Sequence, residues 1–116
     1  MNSFHVLTRH LNPGMAVVEI HGEMDIDAAP RAKEIMLGLL GEGYRNLIVN
    51  LRKTDYIDST GLGMLIGILR RAREHGGAIR LVAPPNHVRR LFEITRLTYS
   101  LPIDASEEDA AGHFAG

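Results

Sequence analysis

Cysteine is absent from this chain, and no apolar run reaches the length of a membrane span. The lack of cysteine excludes disulfides and thiolate chemistry, and it is compatible with a reducing compartment. The first residues, MNSFHVLTRH, contain no signal-peptide core. We therefore expect a cytoplasmic protein without a membrane-inserted segment.

An excess of charge of either sign is also missing. The chain has 13 Lys and Arg against 14 Asp and Glu, for a net charge of -1. Binding to a nucleic-acid backbone needs a broad basic surface, so we expect no direct nucleic-acid partner. With 116 residues and 45% hydrophobic content, the chain can build one core and leaves no room for a second. The sequence predicts a single domain over residues 1–116.

Patterns typical of catalytic and metal sites are not found. There is no Gly-x-Ser-x-Gly elbow and no Gly-x-x-x-x-Gly-Lys phosphate-binding loop. The histidines have no spacing that suggests a metal site or a catalytic triad: His5, His10, His21, His75, His87 and His113. We expect a protein that is not an enzyme and that uses neither a cofactor nor a metal.

Strand-like and helix-like segments alternate along the chain. Short apolar runs between turn-forming residues predict strands at 4–9, 15–21, 45–51 and 78–83, with a short edge strand at 99–103. Apolar residues at helical spacing predict helices at 27–40, 59–75 and 86–94, and a last helix that Ser106 caps.

The order of these segments predicts the fold class. Asn12-Pro13-Gly14 is a turn signal that favours an antiparallel hairpin of the first two strands. The later alternation favours crossover connections and parallel pairing. We predict an α/β domain, with a mostly parallel sheet of about four to five strands, an N-terminal antiparallel hairpin, and about four helices packed on it.

The segment YIDSTGLGML, at positions 56–65, marks the start of the second helix. Ser59 is the predicted N-cap, with Thr60 next and Asp58 just outside. Free first-turn amides and the helix dipole make such a corner favourable for an anion. Gly61 and Gly63 add no bulk, so another protein could approach Ser59. The alternative is that Ser59 only caps the helix and that the glycines only allow tight packing.

A second loop is expected beside this corner. Ligand-facing loops of open parallel sheets follow the carboxyl ends of the strands. The 22–27 loop follows the predicted strand at 15–21, and the Ser59 corner follows the one at 45–51. We hypothesise that the two loops form one surface with Asp25 near Ser59. The alternative is that Asp25 or Asp27 only caps the helix after it.

The helix after Ser59 has more apolar residues than one buried face requires. Its predicted core face consists of residues at helical spacing: Leu62, Leu65, Ile66, Leu69 and Ala72. Met64 and Ile68 form a second stripe beside that face. A neighbouring helix could cover this stripe, or a partner could bind it.

Residues 48–97, together with HGEMDIDAAP at 21–30, resemble the bacterial anti-sigma-factor antagonists of the STAS domain family. Three motifs carry the resemblance: the Asp-Ser-Thr-Gly-Leu-Gly corner, the upstream Gly-Glu-x-Asp, and the later Val-Arg-Arg-Leu-Phe. They occur in the family's order and at about its spacings, and essentially the whole chain is covered. The resemblance implies a STAS-like fold.

The resemblance also implies a mechanism of partner switching. The unphosphorylated protein would bind an anti-sigma factor that is itself a serine kinase, a histidine-kinase-like ATPase, and so release a sigma factor. That kinase would phosphorylate Ser59, and a metal-dependent serine phosphatase would reset the switch. Asp25 and Asp58 would take part in kinase recognition or transfer. The expected partner-binding residues are Asp25, Asp58, Ser59, Thr60, Gly61, Leu62, Gly63 and Met64.

A second function remains open. A STAS protein can also be an accessory subunit of a membrane transport complex, such as a lipid transporter, and act through a similar surface. The intact Ser59 beside Asp58 favours the regulatory function, because a scaffold needs no hydroxyl that can be phosphorylated.

Overall fold

The computed structural model describes residues 4–12 and 14–115, and it confirms the predicted α/β fold class. The strands within these ranges are β1 (His5–Asn12), β2 (Met15–Met24), β3 (Asn46–Asn50), β4 (Thr54–Ile57), β5 (Ile79–Val82) and β6 (Ile103–Asp104). The helices are α1 (Ala29–Gly41), α2 (Ser59–Glu74), α3 (Asn86–Ile94) and α4 (Glu107–Ala115).

The strands form a mostly parallel sheet in the order β1-β2-β3-β5-β6, with β4 paired to β2. The β1–β2 pair is antiparallel, which confirms the predicted hairpin. The described ranges hold six strands, one more than the upper number predicted. Pro13 of the predicted turn lies outside the described residues, as do residues 1–3 and 116 of the predicted domain.

Strand β4 was not predicted from the sequence. Its four residues follow a buried-exposed-exposed-buried pattern, which differs from the alternation that marks a half-buried strand. Two hydrogen bonds hold its start on β2, from Gly22 N to Lys53 O at 3.0 Å and from Thr54 Oγ1 to Ile20 O at 2.8 Å. The expectation that the Ser59 corner follows the strand at 45–51 is therefore wrong, because β4 lies between them.

The predicted edge strand at 99–103 is also wrong over most of its length. A single 3₁₀ turn forms at Leu97–Tyr99, and only Ile103–Asp104 pairs with β5. Leu101 N donates to Leu97 O at 2.7 Å, and the Leu101 side chain is fully buried. The chain turns at this point because burial of Leu101 in the core competes with extended pairing.

Helices cover both faces of the sheet, as the alternation of side chains along β2 shows. Ala16, Val18 and Ile20 join the larger core, which also contains buried residues of α1, α2 and α3. Met15 and Val17 point the other way, into a smaller core beneath α4. Within the described ranges, no helix has both the length and the apolar content needed to cross a bilayer.

A buried carboxylate fastens α4 to the sheet. Asp104, whose side chain is 4% exposed, accepts from Arg80 Nε at 2.6 Å and Arg80 Nη2 at 3.2 Å. His113 Nδ1 of α4 lies 2.7 Å from Asp104 Oδ1. Burial alone would raise the pKa of Asp104, but the hydrogen bonds and charges of Arg80 and His113 hold that pKa below its usual value.

A second carboxylate fastens the start of the same helix. Glu107 accepts from Asn50 Nδ2 of β3 at 2.7 Å and forms an ion pair with Arg9 of β1. Burial again opposes ionisation, yet these two partners lower the pKa of Glu107. Ser106 Oγ accepts from Asp109 N at 3.0 Å, which confirms the predicted cap of the last helix.

Acid should therefore weaken the attachment of α4. Carboxylates with lowered folded-state pKa values stabilise the fold above their unfolded pKa, and this contribution is lost as pH falls through the folded values. Asp104→Asn should lower the free energy of unfolding at neutral pH by about 1–3 kcal/mol, because Arg80 loses its charged partner. Urea unfolding at several pH values below about 5 should show a shallower pH dependence than in the native chain.

The control for this prediction is Glu108→Gln, on an exposed α4 residue without an ion pair to the described residues. Its charge interacts only with the dipole of α4, so the variant should lose less than about 1 kcal/mol of stability and keep a pH dependence close to that of the native protein. An Asp104→Asn profile parallel to the native one would contradict the role given to Asp104.

Candidate functional site

The pairing of β2 with β4 brings the two predicted loops together. The strands run parallel, and Met24 is paired with Ile57 at their carboxyl ends. Asp25 and Asp58 are the next residues, so both chains leave the sheet side by side. The hypothesis that the 22–27 loop and the Ser59 corner form one surface requires that these two chain segments lie next to each other, as they do here.

The carboxylate of Asp25 shapes the turn into α1. Its Oδ1 accepts from the backbone N–H groups of Asp27 and Ala28, each at 3.0 Å. Ala28, at the N-cap position of α1, has no side-chain cap of its own. Asp25 therefore orders the turn before α1 but does not cap the first amides of the helix, and Asp27 does not cap them either, so the capping alternative is wrong for both residues. The second oxygen of Asp25 makes no hydrogen bond to the described residues.

The cap of α2 is Asp58, so the prediction that Ser59 is the N-cap is wrong. Asp58 has extended backbone angles (φ -104°, ψ -173°), and its Oδ1 accepts from Gly61 N at 3.0 Å. Asp and Ser are about equally good N-cap residues, so the sequence alone could not decide between adjacent candidates. The β4 pairing decides it, because it ends at Ile57 and makes Asp58 the first residue outside the sheet.

Ser59 is consequently the first residue of the helix, and it is exposed. Its hydroxyl makes no hydrogen bond to the described residues. The amides of Ser59 and Thr60 also lack a partner there, as the first amides of a helix do. The corner thus combines a free hydroxyl, free N–H groups and the positive end of the α2 dipole.

Gly61 is required by the packing of α2 on the sheet. A Cβ at this position would lie 2.6 Å from Met24 O and 2.9 Å from Ile57 Cγ2. Those atoms belong to the two paired strands, so the helix start rests directly on the β2–β4 pair. The tight-packing alternative is correct for Gly61.

Gly63 has no such requirement. It is exposed, and a Cβ there would meet nothing within 4 Å. Glycine inside a helix costs about 0.5–1 kcal/mol relative to alanine. No contact within the described residues requires glycine at this position.

The second apolar stripe of α2, Met64 and Ile68, is buried in the larger core, which also contains residues of α1. Leu62 is 8% exposed, Met64 is 7% exposed, and Ile68 is fully buried in the larger core. Of the eight residues expected at the partner surface, three are exposed (Ser59, Thr60, Gly63), two are half-buried (Asp25, Asp58) and three are buried (Gly61, Leu62, Met64). Gly61, Leu62 and Met64 therefore pack in the interior and support the exposed residues of the corner.

A groove runs between α1 and α2 next to Ser59. It encloses about 330 Å³ and is lined by Ala29, Pro30, Lys33, Thr60, Gly63 and Met64. Lys33 was not singled out from the sequence, since only the packing of α1 against α2 brings it beside Thr60. In the part of the chain that the structure describes, no cluster of three or more His, Asp or Glu side chains could hold a metal ion.

A parallel sheet with an N-terminal hairpin and an acidic, serine-bearing corner defines a known class. The family model of the STAS domain matches residues 7–110. This chain belongs to the STAS domain family and, within it, to the anti-sigma-factor antagonists. The anti-sigma-B factor antagonist of Staphylococcus aureus is 31% identical over 91 residues, which cover 78% of this chain and 84% of that protein.

Solved structures share the fold. An anti-sigma factor antagonist from Mycobacterium paratuberculosis superposes with a TM-score of 0.87 at 23% identity, over 98% of this chain and 96% of that one. The Bacillus cell fate determinant SpoIIAA in its phosphorylated form superposes with a TM-score of 0.73 at 21% identity, over 96% of this chain and 98% of that one.

Gly61→Ala should destabilise the protein by about 1–3 kcal/mol, since the new methyl group collides with backbone and side-chain atoms of the β2–β4 pair. Gly63→Ala is the matched control and should be neutral or slightly stabilising. Thermal unfolding of both variants tests the pair. Equal melting temperatures would mean that α2 can move off the sheet without cost.

Proposed function

We propose that this chain acts by partner switching: in its unphosphorylated form it binds an anti-sigma kinase and frees a sigma factor, and phosphorylation of Ser59 ends that binding. Ser59 is then the substrate of an external enzyme and not a catalytic nucleophile. The proposed partners are a histidine-kinase-like serine kinase, which modifies Ser59, and a metal-dependent serine phosphatase, which restores the hydroxyl. The proposed location is the cytoplasm.

The free hydroxyl of Ser59 is the observation that carries this proposal. A kinase needs a serine that is exposed and not engaged in the fold, and Ser59 meets both conditions within the described residues. Asp58 caps α2 in its place. Modification of Ser59 therefore removes no hydrogen bond on which the helix depends.

The electrostatics explain how one phosphate could act as a switch. A phosphoserine carries about 1.5–2 negative charges at neutral pH. The dipole of α2 favours this charge by about 0.3–1 kcal/mol, so the fold tolerates it. A partner surface that fits a neutral hydroxyl must instead bury the dianion next to Asp58, which costs on the order of several kcal/mol without new cations. The switch thus acts at the interface.

Asp58 could also take part in the transfer of the phosphoryl group to Ser59. The kinase would move the γ-phosphoryl group of ATP to Ser59 Oγ, and the hydroxyl proton must leave. A neighbouring carboxylate can orient the hydroxyl or accept this proton. One oxygen of Asp58 is occupied by Gly61 N, and the other makes no hydrogen bond to the described residues. We propose that this second oxygen assists the transfer.

The names of the relatives and the geometry of the corner favour this function over that of a transport subunit. The Staphylococcus aureus relative is an anti-sigma-B factor antagonist, and SpoIIAA has been solved in a phosphorylated form. A transport scaffold would have no use for an unbonded hydroxyl at a helix start.

Ser59→Asp should weaken binding to the anti-sigma kinase by about tenfold or more, because each 1.4 kcal/mol of interface cost changes affinity about tenfold. The fold and the melting temperature should change little. Ser59→Asn is the matched neutral control and should bind nearly as the native protein does. Titration calorimetry measures both affinities, and native-like binding of Ser59→Asp would overturn the switch.

The modification itself is tested by incubating the native chain with candidate anti-sigma kinases and ATP. Mass spectrometry should place a single phosphate on Ser59. A phosphate elsewhere, or none with any kinase, would contradict the proposal.

Asp58→Asn separates the cap from the carboxylate charge. Asparagine is as good an N-cap as aspartate, so stability should change by less than about 1 kcal/mol. Loss of the negative charge should slow phosphorylation of Ser59 clearly more than it weakens binding of the unmodified form. Initial rates of phosphate incorporation and calorimetric affinities decide this. Unchanged values of both would leave Asp58 with the capping role alone.

A further inference from the structure

The groove between α1 and α2 has an uncommon distribution of polarity. Its lining includes Ala29, Pro30 and Met64, and none of the described residues adds an acidic side chain to it. Among the described residues that line it, Lys33 is the single charged one. The groove is therefore a largely apolar slot with one cation.

The side chain of Lys33 has no polar partner among the described residues. It is exposed and forms neither a hydrogen bond nor an ion pair with the described residues. Arg31, two residues earlier on the same helix, contacts the ring of Phe4 at 5.4 Å from its centroid. The charge of Lys33 is thus available to a group that comes from outside.

Gly63 keeps the slot open. Gly63 lines the groove, and a Cβ at this position would meet nothing within 4 Å, so a longer side chain there would take up space at the groove. Gly67, one turn further along α2, has equally open surroundings but does not line the groove. Gly63 is exposed and Gly67 is half-buried, but a Cβ would meet no atom within 4 Å at either position.

We propose that this groove is a second contact surface for the anti-sigma kinase, and that it accepts an apolar side chain flanked by a carboxylate that pairs with Lys33. The proposal rests on the proposed function of Ser59. It adds Lys33 to the partner-binding residues expected from the sequence, and it gives Lys33 and Gly63 a role in affinity that does not depend on phosphorylation.

The kinase fits this groove better than other occupants do. Specific interfaces usually cover about 800 Å² per partner, far more than the surface of a single serine. Thr60 lines the groove and directly follows Ser59, so a protein that docks over Ser59 reaches the groove next. The positive charge of Lys33 and the apolar lining are complementary to a partner segment with a carboxylate and an apolar side chain. A second copy of this chain fits less well, because it would place another Lys33 against the first.

Two groove variants and two matched controls test the proposal, with the kinase that phosphorylates Ser59 as the probe. Lys33→Glu and Gly63→Gln should each weaken its binding to the unmodified chain by about tenfold. Arg73→Glu reverses a charge near the far end of α2, and Gly67→Gln adds the same side chain outside the groove. Both controls should stay within about threefold of native affinity.

Folding and function are followed separately. Gly63→Gln should raise the melting temperature slightly, because glycine is unfavourable inside a helix, so a loss of binding cannot be a loss of fold. If both groove variants bind the kinase with native affinity, the proposal that the kinase contacts the groove is wrong, whereas the proposed switch at Ser59 is unaffected. An equal loss in Gly67→Gln, or a native dimer that Gly63→Gln dissociates, would also overturn it. If no kinase modifies Ser59, the proposed function fails, and the kinase fails as the occupant with it.

Discussion

The parallel pairing of β4 with the end of β2 is the contact on which the candidate site depends. It ends with Met24 beside Ile57, and the start of α2 rests on both residues through Gly61. One set of short contacts therefore fixes two loops and a helix start relative to one another. The atom nearest to a Cβ placed at Gly61 is the backbone oxygen of Met24, so the helix start lies directly against the strand backbone.

Structural and functional chemistry are divided between neighbouring residues at this corner. Asp58 satisfies the helix start, Gly61 sets the distance to the sheet, and Ser59 between them makes no hydrogen bond to the described residues. A charge added to Ser59 therefore breaks none of the contacts that hold the start of α2. The carboxylates that hold α4, Asp104 and Glu107, lie on the opposite face of the sheet and serve the fold.

Most of the fold could be predicted because its signals are local. Helix α3 follows a Pro-Pro break and matches the predicted range of 86–94. The hairpin, the buried central strands and the Ser106 cap also follow from nearby residues. The failures at β4 and at 99–103 have one cause: each depends on a contact with distant parts of the chain, Thr54 with Ile20 and Leu101 with the core.

The sequence by itself determined the family, the α/β class and the segment that carries the serine, because motif order and hydrophobic period are properties of neighbouring residues. Tertiary structure alone decided that Asp58 caps α2 and that Ser59 makes no hydrogen bond to the described residues, since the cap depends on where β4 pairing ends. It also decided that Lys33 lies beside Thr60 across the groove. No local pattern contains that information, because the packing of α1 on α2 joins residues far apart in the chain.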